Sequence, residues 1–306
     1  MPLCGLLPLV LTAALAGCAQ SGRDPEEVPG SLAADREARA VLAAVEQAKQ
    51  WSVPDWSPPP KPQRRPGDVL IRVRAPKGRV ETLSHYYDVR TKNFEKTELV
   101  QEKEEFVEFQ SQVTGEGEQP ENVWNYQLQT MKKNGMLPLA DMGFPEPGEK
   151  LNMMVSSGGR TIKAGDYPSS SIFFLPTFPF PWDGVRVGET WAYEHQWISH
   201  YSGVVLVLEV VGILRELFPC QRGDRCARIE LSGDVRPAGK LAGLILQNQI
   251  RAETIYALKE GRLLQMRSRT LERAQTATNV TEVQSCMISS ARGFLPANSR
   301  SCWKEW

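Results

Sequence analysis

Residues 189–197, ETWAYEHQW, decide the fold class that this sequence predicts. Bulky rings alternate there with small or polar side chains: Trp191, Tyr193, His195 and Trp197 fall on one face, and Thr190, Ala192, Glu194 and Gln196 fall on the other. A period of two residues is the signature of a β-strand with one buried face. We therefore predict a strand at this position, with its ring-bearing face turned towards the core.

Similar strand-like runs recur along most of the chain. They lie at 68–75, 79–90, 94–113, 122–131, 151–155, 160–164, 203–214, 225–235, 251–258, 262–271 and 279–288. Short Gly-, Asn- or Lys-containing stretches between or beside them predict turns at 91–93, 115–118, 134–135, 156–159 and 260–261. The chain is therefore predicted to be mainly β, with antiparallel sheets that form a sandwich or an incomplete barrel and with one N-terminal helix.

One long connection, residues 165–188, is both apolar and rich in proline. Proline removes a backbone donor, so this segment does not fit a central strand. Its phenylalanines, Phe173 among them, would form an exposed patch if they were not covered. We expect the segment to cross the β core and to be largely buried, and contact with a ligand or partner is the alternative.

A short apolar stretch at the N terminus ends in Leu15-Ala16-Gly17-Cys18. Residues 2–17 carry no charged side chain and are too few to span a bilayer, which needs about 20 apolar residues. These four residues resemble the lipobox of bacterial lipoproteins. The resemblance implies that the Cys18 thiol takes a diacylglyceryl group and that cleavage leaves it as the acylated first residue. An ordinary cleaved signal peptide is the alternative.

The same resemblance implies a place in the cell. The protein would be held at the bacterial cell envelope by its N-terminal lipid, which is its expected contact with a membrane. Ala19 follows the lipobox cysteine, where an aspartate would mark retention at the inner membrane in enteric bacteria. The expected location is therefore the outer membrane, facing the periplasm.

Composition shifts divide the chain into segments. We predict a lipoprotein signal peptide at 1–17, a tether at 18–30, a helix at 31–50, a Pro-rich spacer at 51–66 and a β domain at 67–306. Similar turn sequences recur within the β domain: Lys77-Gly78-Arg79, Gly158-Gly159-Arg160 and Glu260-Gly261-Arg262. Residues 67–164 and 188–290 would be related halves if these turns mark a duplication.

Four cysteines remain in the predicted β domain, namely Cys220, Cys226, Cys286 and Cys302. An even number of cysteines in an exported protein favours disulfides. Three connectivities exist for four cysteines. We prefer Cys220–Cys226 and Cys286–Cys302 because each pair is close in sequence. Zinc is the rival interpretation, although the sequence has no C-x-x-C motif.

Charge and motif content restrict the function. The chain has 36 basic and 36 acidic residues, a balance that argues against a nucleic-acid partner. We find no G-x-S-x-G, H-E-x-x-H, P-loop or G-x-G-x-x-G motif. The histidines do not have ligand-like spacing, and His195 is best interpreted as a packed core residue. No catalytic residue, metal ligand or cofactor is therefore predicted.

Three functional hypotheses follow. The first is a non-enzymatic envelope lipoprotein whose β domain binds an apolar ligand or lipid through Phe173, Trp191, Tyr193 and Trp197, in a layout like that of half-barrel envelope carriers. The second is a structural or assembly subunit that contacts an envelope protein partner, and the third is a hydrolase with an unrecognised site. An apolar pocket would favour the first, a filled core with an exposed apolar patch the second, and converging titratable groups in a cleft the third.

Overall fold

The computed structural model describes residues 61–175, 180–198, 205–220, 223–238, 245–276 and 278–305. The predicted signal peptide, the tether, the helix at 31–50 and most of the spacer lie outside the described residues, and so do Cys18 and His200. The predictions for those segments, including lipidation, are therefore not addressed by the structure. Within the described ranges, no helix is long and apolar enough to cross a membrane.

The β domain is built on one antiparallel sheet of eleven strands. The strands are β1 (Val80–Glu95), β2 (Glu98–Gln119), β3 (Val123–Gly135), β4 (Lys150–Ser156), β5 (Thr161–Ala164), β6 (Thr190–Ile198), β7 (Val205–Pro219), β8 (Arg225–Pro237), β9 (Ile245–Ala257), β10 (Arg262–Gln275) and β11 (Asn279–Ala291). Their order is β5-β4-β3-β2-β1-β11-β10-β9-β8-β7-β6, and the sheet is not closed. The prediction of a mainly β, antiparallel chain that forms a sandwich or an incomplete barrel is confirmed.

The strand order places the two predicted halves side by side. Strands β1–β5 occupy one end of the sheet, β6–β11 occupy the other, and the two sets meet where β1 pairs with β11. Each set is a meander in which sequence neighbours are hydrogen-bonded neighbours. A relationship between residues 67–164 and 188–290 stays a prediction.

Three of the predicted turns are wrong. Residues 91–93 lie inside β1, which pairs with β2 up to Glu95, and residues 115–118 lie inside β2. A bulge between Gly115 and Gly117 accommodates these glycines, because a Cβ on Gly115 would lie 2.2 Å from the carbonyl oxygen of Pro76. Gly115 therefore marks a close approach of two backbones and not a turn. Gly135 only ends β3, with a φ of 114°, and a long connection to β4 follows it.

The inner face of the sheet is covered by chain segments that cross it. Residues 137–144 pack on β1, β2, β10 and β11, and the apolar part of 172–174 packs on β3–β5. The cluster over β7–β10 contains Ile71 and Leu214, both 0% exposed, together with Phe180. The prediction that 165–188 crosses the core is confirmed for its described residues, because Phe173, Phe174 and Phe180 are buried.

Residues 68–75 belong to this crossing layer and are not a full strand. The segment is extended, but it forms only one bridge, between Val69 and Val185. Further along, the Val73 amide donates to the Ser157 carbonyl and the Arg74 amide donates to the Gly261 carbonyl. The strand predicted at 68–75 is therefore only an extended segment, because its backbone donors are divided between several distant loops.

The outer face carries the C-terminal segment. Residues 292–305 follow β11 and end in a short helix, α1 (Ser299–Cys302), which Asn298 caps by accepting the Ser301 amide. A disulfide joins Cys286 on β11 to Cys302, beside the buried side chains of Tyr86 and Ile288. A second disulfide joins Cys220 to Cys226 across the β7–β8 connection. These are the two pairs expected from the sequence spacing.

Candidate functional site

The sequence-predicted ligand residues on β6 share one face of that strand. Trp191, Tyr193 and Trp197 pair with residues of β7, and Trp191 lies opposite Gly212. Trp197 is only 3% exposed, whereas Trp191 and Tyr193 are half-buried. A Cβ on Gly212 would lie 2.4 Å from the Trp191 ring. The indole therefore packs flat against the β7 backbone and is a neighbour of the apolar cluster over β7–β10.

The fourth predicted residue, Phe173, belongs to another part of the interior. It lies in the 3-10 helix Ile172–Phe174 and packs on β3–β5, with its ring stacked 4.0 Å from that of Tyr167. The structure thus places Phe173 and Trp191 in two different clusters of a filled inner face. Ligand contact by these four residues stays a prediction.

The edge strand β6 also faces a charge from the opposite edge of the sheet. Arg160, in the β4–β5 hairpin, acts electrostatically on both Tyr193 and His195. Burial, with a smaller contribution from Arg160, lowers the pKa of His195 to about 4. Burial also raises the pKa of Tyr193. Both rings are consequently neutral at physiological pH, in keeping with packed residues and not with an acid–base pair.

A cleft of about 750 Å³ lies away from these residues, at one end of the sheet. It is formed where the start of β1, the β9–β10 turn and the chain after β11 meet. Its lining consists of Arg79, Val80, Glu81, Thr82, Glu260, Arg262, Leu264, Ala291, Arg292, Gly293 and Phe294. A volume of this size falls within the range of small-molecule sites, which is about 300–1,000 Å³.

The floor of the cleft is apolar. Leu264 is 3% exposed and Ala291 is 8% exposed, and both pack with the half-buried Phe294. The same cluster includes Cys226, which the Cys220–Cys226 disulfide ties to the end of β7. The floor therefore rests on a covalently braced part of the sheet.

The wall of the cleft is charged. Arg79 forms an ion pair with Glu81, and Arg262 forms one with Glu260 and lies 3.9 Å from the Glu81 carboxylate. Arg79 also donates to the Glu260 carbonyl at 2.5 Å. Burial raises the pKa of Glu81, and the two arginines oppose this effect. Two arginines and two glutamates thus form one connected network along the rim.

The β9–β10 turn, which carries Glu260 and Arg262, is fixed by hydrogen bonds to the Asp224 carboxylate. Asp224 accepts the backbone amides of Arg225, Lys259 and Glu260 at 2.6, 3.0 and 3.0 Å. Although burial works against ionisation, these donors hold the pKa of Asp224 below its ordinary value. Gly261 occupies the left-handed region with a φ of +66°, which glycine adopts without strain. The turn is therefore fixed in place before any ligand arrives.

This cleft was not predicted from the sequence, although one signal pointed to it. The Gly-Arg turns at Lys77-Gly78-Arg79 and Glu260-Gly261-Arg262 were interpreted as traces of a duplication, and the structure brings their two arginines to one rim. The third such turn places Arg160 near β6 instead. Periodicity describes only local structure, so it could not show that residues 79–82, 260–264 and 291–294 converge.

A metal centre finds no support in the part of the chain that the structure describes, where no group of three or more His, Cys, Asp or Glu side chains could hold an ion. The side chain of His85 is engaged in hydrogen bonds and ring packing inside the domain. Its ring nitrogens lie 2.7 Å from the hydroxyls of Ser111 and Ser289, and the ring stacks on Phe109.

Comparison with known proteins does not place the chain in a family. No family model matches the sequence, and no curated protein matches it. Among solved structures, a lipovitellin studied for its lipid–protein interactions is similar over 72% of this chain and 26% of its own, at 11% identity and a TM-score of 0.38. This chain thus spans about a quarter of the lipovitellin chain that it matches.

Two further solved structures show weaker likeness. DynF, from the dynemicin biosynthesis pathway of Micromonospora chersina, has 10% identity and a TM-score of 0.20, over 78% of this chain and 92% of its own. A protein of unknown function from Nostoc punctiforme has 10% identity and a TM-score of 0.11, over 66% of this chain and 94% of its own. Similarity at these values establishes neither a family nor a function for this chain.

Proposed function

We propose that this chain is a membrane-anchored lipoprotein of the bacterial envelope whose β domain binds an apolar or amphipathic ligand, without catalysis, in the cleft described above. The observation that carries the proposal is the lining of the cleft. Leu264, Ala291 and Phe294 give it an apolar floor, and five charged side chains line the same volume. Sites for small ligands combine an apolar enclosure with a few polar groups that fix orientation.

The anchor in this proposal is Cys18, through the lipobox resemblance of Leu15-Ala16-Gly17-Cys18. Several acyl chains give stable membrane attachment, because each buried CH₂ contributes about 0.8 kcal/mol. A domain held beside a bilayer meets lipids and other amphiphiles at high local concentration. An outer-membrane, periplasm-facing location is part of the same proposal.

The charged rim favours binding over hydrolysis. Glu81 is the cleft carboxylate with a raised pKa, and it is therefore the natural candidate for a general acid or base. Its carboxylate is paired with Arg79 and lies near Arg262. A carboxylate in such a network serves to position the arginines more readily than to exchange protons with a substrate.

A structural or assembly role is a second candidate, and two observations favour it. The inner face of the sheet is filled by crossing segments, and apolar side chains are exposed on β2. Leu99 is 49% exposed and Val100 is 60% exposed near the β1–β2 turn. Such residues would suit contact with an envelope protein partner.

Titration of a dansyl-labelled fatty acid into the full-length acylated protein tests the ligand-binding proposal. Thr82 is exposed and lines the cleft, so Thr82→Trp should obstruct it without entering the core. We expect the variant to bind the probe about tenfold more weakly or not at all, equivalent to about 1.4 kcal/mol or more. Thr190→Trp, at an exposed position opening β6, is the matched control and should bind like the wild type.

Two results would overturn the proposal. Equal binding by the wild type and Thr82→Trp would place the ligand elsewhere. A wild-type protein that binds no probe would remove the ligand-binding function and leave the assembly role.

A further inference from the structure

The charges around the cleft are not balanced. Three arginines, Arg79, Arg262 and Arg292, line it with two glutamates, Glu81 and Glu260. Arg79 forms an ion pair with Glu81, and Arg262 forms one with Glu260. Within the described ranges, no carboxylate lies within 4.0 Å of Arg292, which is exposed on the rim. Since the whole chain is neutral, with 36 residues of each sign, this positive excess is a local property.

One further arginine lies behind the same rim. Arg74 donates to the Lys259 carbonyl at 3.3 Å, and its side chain lies against Gly261. Asp224 accepts three backbone amides at the same turn, and it contributes one negative charge. With Arg74 and Asp224 included, four arginines and three carboxylates surround the cleft and its turn, an excess of one positive charge.

Two of the three arginines are each followed, two residues later, by an apolar residue that also lines the cleft. Leu264 follows Arg262 by two residues on β10, and Phe294 follows Arg292 by two residues after β11. Both pairs line the cleft, so guanidinium groups and apolar side chains lie next to one another around a single volume. A ligand that fills this volume would meet guanidinium groups and apolar side chains side by side.

From this arrangement we propose that the ligand is an acidic amphiphile, with a phosphate or carboxylate headgroup at Arg292 and an acyl tail on Leu264 and Phe294. The inference rests on the binding function proposed above and adds the chemical class of the ligand. A guanidinium suits such a headgroup because its planar fork matches two oxygens of a carboxylate or phosphate. Arg79 and Arg262 are already ion-paired with Glu81 and Glu260, which leaves Arg292 for the headgroup.

A headgroup series on one acyl chain tests this proposal with the full-length acylated protein. Oleyl phosphate, oleic acid, oleyl alcohol and oleylamine would each be titrated, and inorganic phosphate would be tested as a competitor. We expect the two acids to bind about tenfold more tightly than the alcohol and the amine to bind most weakly. Inorganic phosphate should compete poorly because it lacks the tail.

Arg292→Gln supplies the second arm, with Arg300→Gln as its matched control in the same exposed C-terminal segment. Because Arg292 is exposed, this substitution should not affect folding. We expect Arg292→Gln to weaken binding of the acids about five- to tenfold while binding of the alcohol stays unchanged. Arg300→Gln should change neither.

The outcomes separate the two proposals. Equal affinity for the acids and the alcohol, together with no effect of Arg292→Gln, would overturn the acidic headgroup while the binding function stands. Competition by inorganic phosphate as strong as that of oleyl phosphate would overturn the amphiphile. Binding of none of the four compounds would contradict the binding function itself.

Discussion

The indole N–H of Trp303 donates to the Asp88 carboxylate at 3.0 Å, joining the C-terminal segment to the middle of β1. Tyr86 donates to the same carboxylate at 3.0 Å. The guanidinium groups of Arg90 and Arg269 lie 4.4 and 5.6 Å from the Trp303 ring. Asp88 is fully buried, so these two donors compensate for its loss of water. The C-terminal segment is therefore part of the outer surface of the sheet and also forms one wall of the cleft.

Replacing Trp303 should separate packing from hydrogen bonding. Trp303→Ala removes the ring and one donor to a buried carboxylate, and it should lower the free energy of unfolding by about 2–4 kcal/mol. Trp303→Phe keeps most of the ring contacts with Arg90 and Arg269 and should cost about 1 kcal/mol less than that. Urea denaturation measures both. Equal losses would mean that the ring contacts contribute nothing.

The two disulfides should differ in their contribution to stability. Cys286 and Cys302 are separated by 16 residues, and removal of this bond in the Cys286→Ser/Cys302→Ser variant should cost about 3 kcal/mol. Cys220 and Cys226 are separated by only 6 residues, so the matching double variant should lose somewhat less. Urea unfolding of both variants without reductant gives the comparison. A larger loss for the shorter loop would contradict the loop-closure argument.

Acidification should destabilise the domain through His85. Burial lowers the pKa of His85 to about 3, from an ordinary value of 6.5. Between these two values the unfolded chain binds a proton that the folded chain excludes. Stability is therefore complete above pH 6.5 and falls as the pH drops towards 3, by up to about 1.4 kcal/mol per pH unit. His195, with a pKa of about 4, adds to the same trend.

Urea midpoints at pH 7 and pH 5 measure this dependence. His85→Gln can still bond to Ser111 or Ser289, and it should be less stable at pH 7 because ring stacking on Phe109 is lost. Its stability should change less between the two pH values than that of the wild type. An unchanged pH dependence in His85→Gln would show that other groups cause the trend.

The close contact between Trp191 and Gly212 predicts a coupled pair. A Cβ at position 212 would lie 2.4 Å from the indole, so Gly212→Ala should cost about 1–3 kcal/mol by displacing the ring. In the Trp191→Leu background the same alanine should cost less, because the smaller side chain leaves room. A double-mutant cycle measures the coupling. Additive losses would mean that the ring does not pack where the structure places it.

The predicted anchor can be tested by metabolic labelling with a fatty-acid probe. Wild-type protein should take the label and partition with membranes, and Cys18→Ala should do neither. Cys4→Ala is the matched control, since position 4 leaves with the signal peptide and the variant should be labelled normally. An unlabelled wild-type protein would show that Cys18 is not acylated.

Sequence reasoning succeeded where one local pattern was sufficient. Strand β6 was predicted at 189–197 and runs from Thr190 to Ile198, because its period-two pattern reflects a single buried face. It failed at Gly115, where the glycine permits a close backbone approach that no local pattern distinguishes from a turn. The cleft could not be predicted from the sequence for the same reason. Arg79, Arg262 and Arg292 come together only because β1, β10 and β11 are neighbours in the sheet.

The central claim is that the cleft of the anchored protein holds an amphipathic ligand, and native mass spectrometry of the protein purified from its own membrane tests it most directly. The wild type should retain a bound species with the mass of an acidic amphiphile, and Thr82→Trp purified in parallel should have lost it. A wild-type protein that emerges bare and monomeric, or a Thr82→Trp variant that keeps the same bound mass, would contradict the claim.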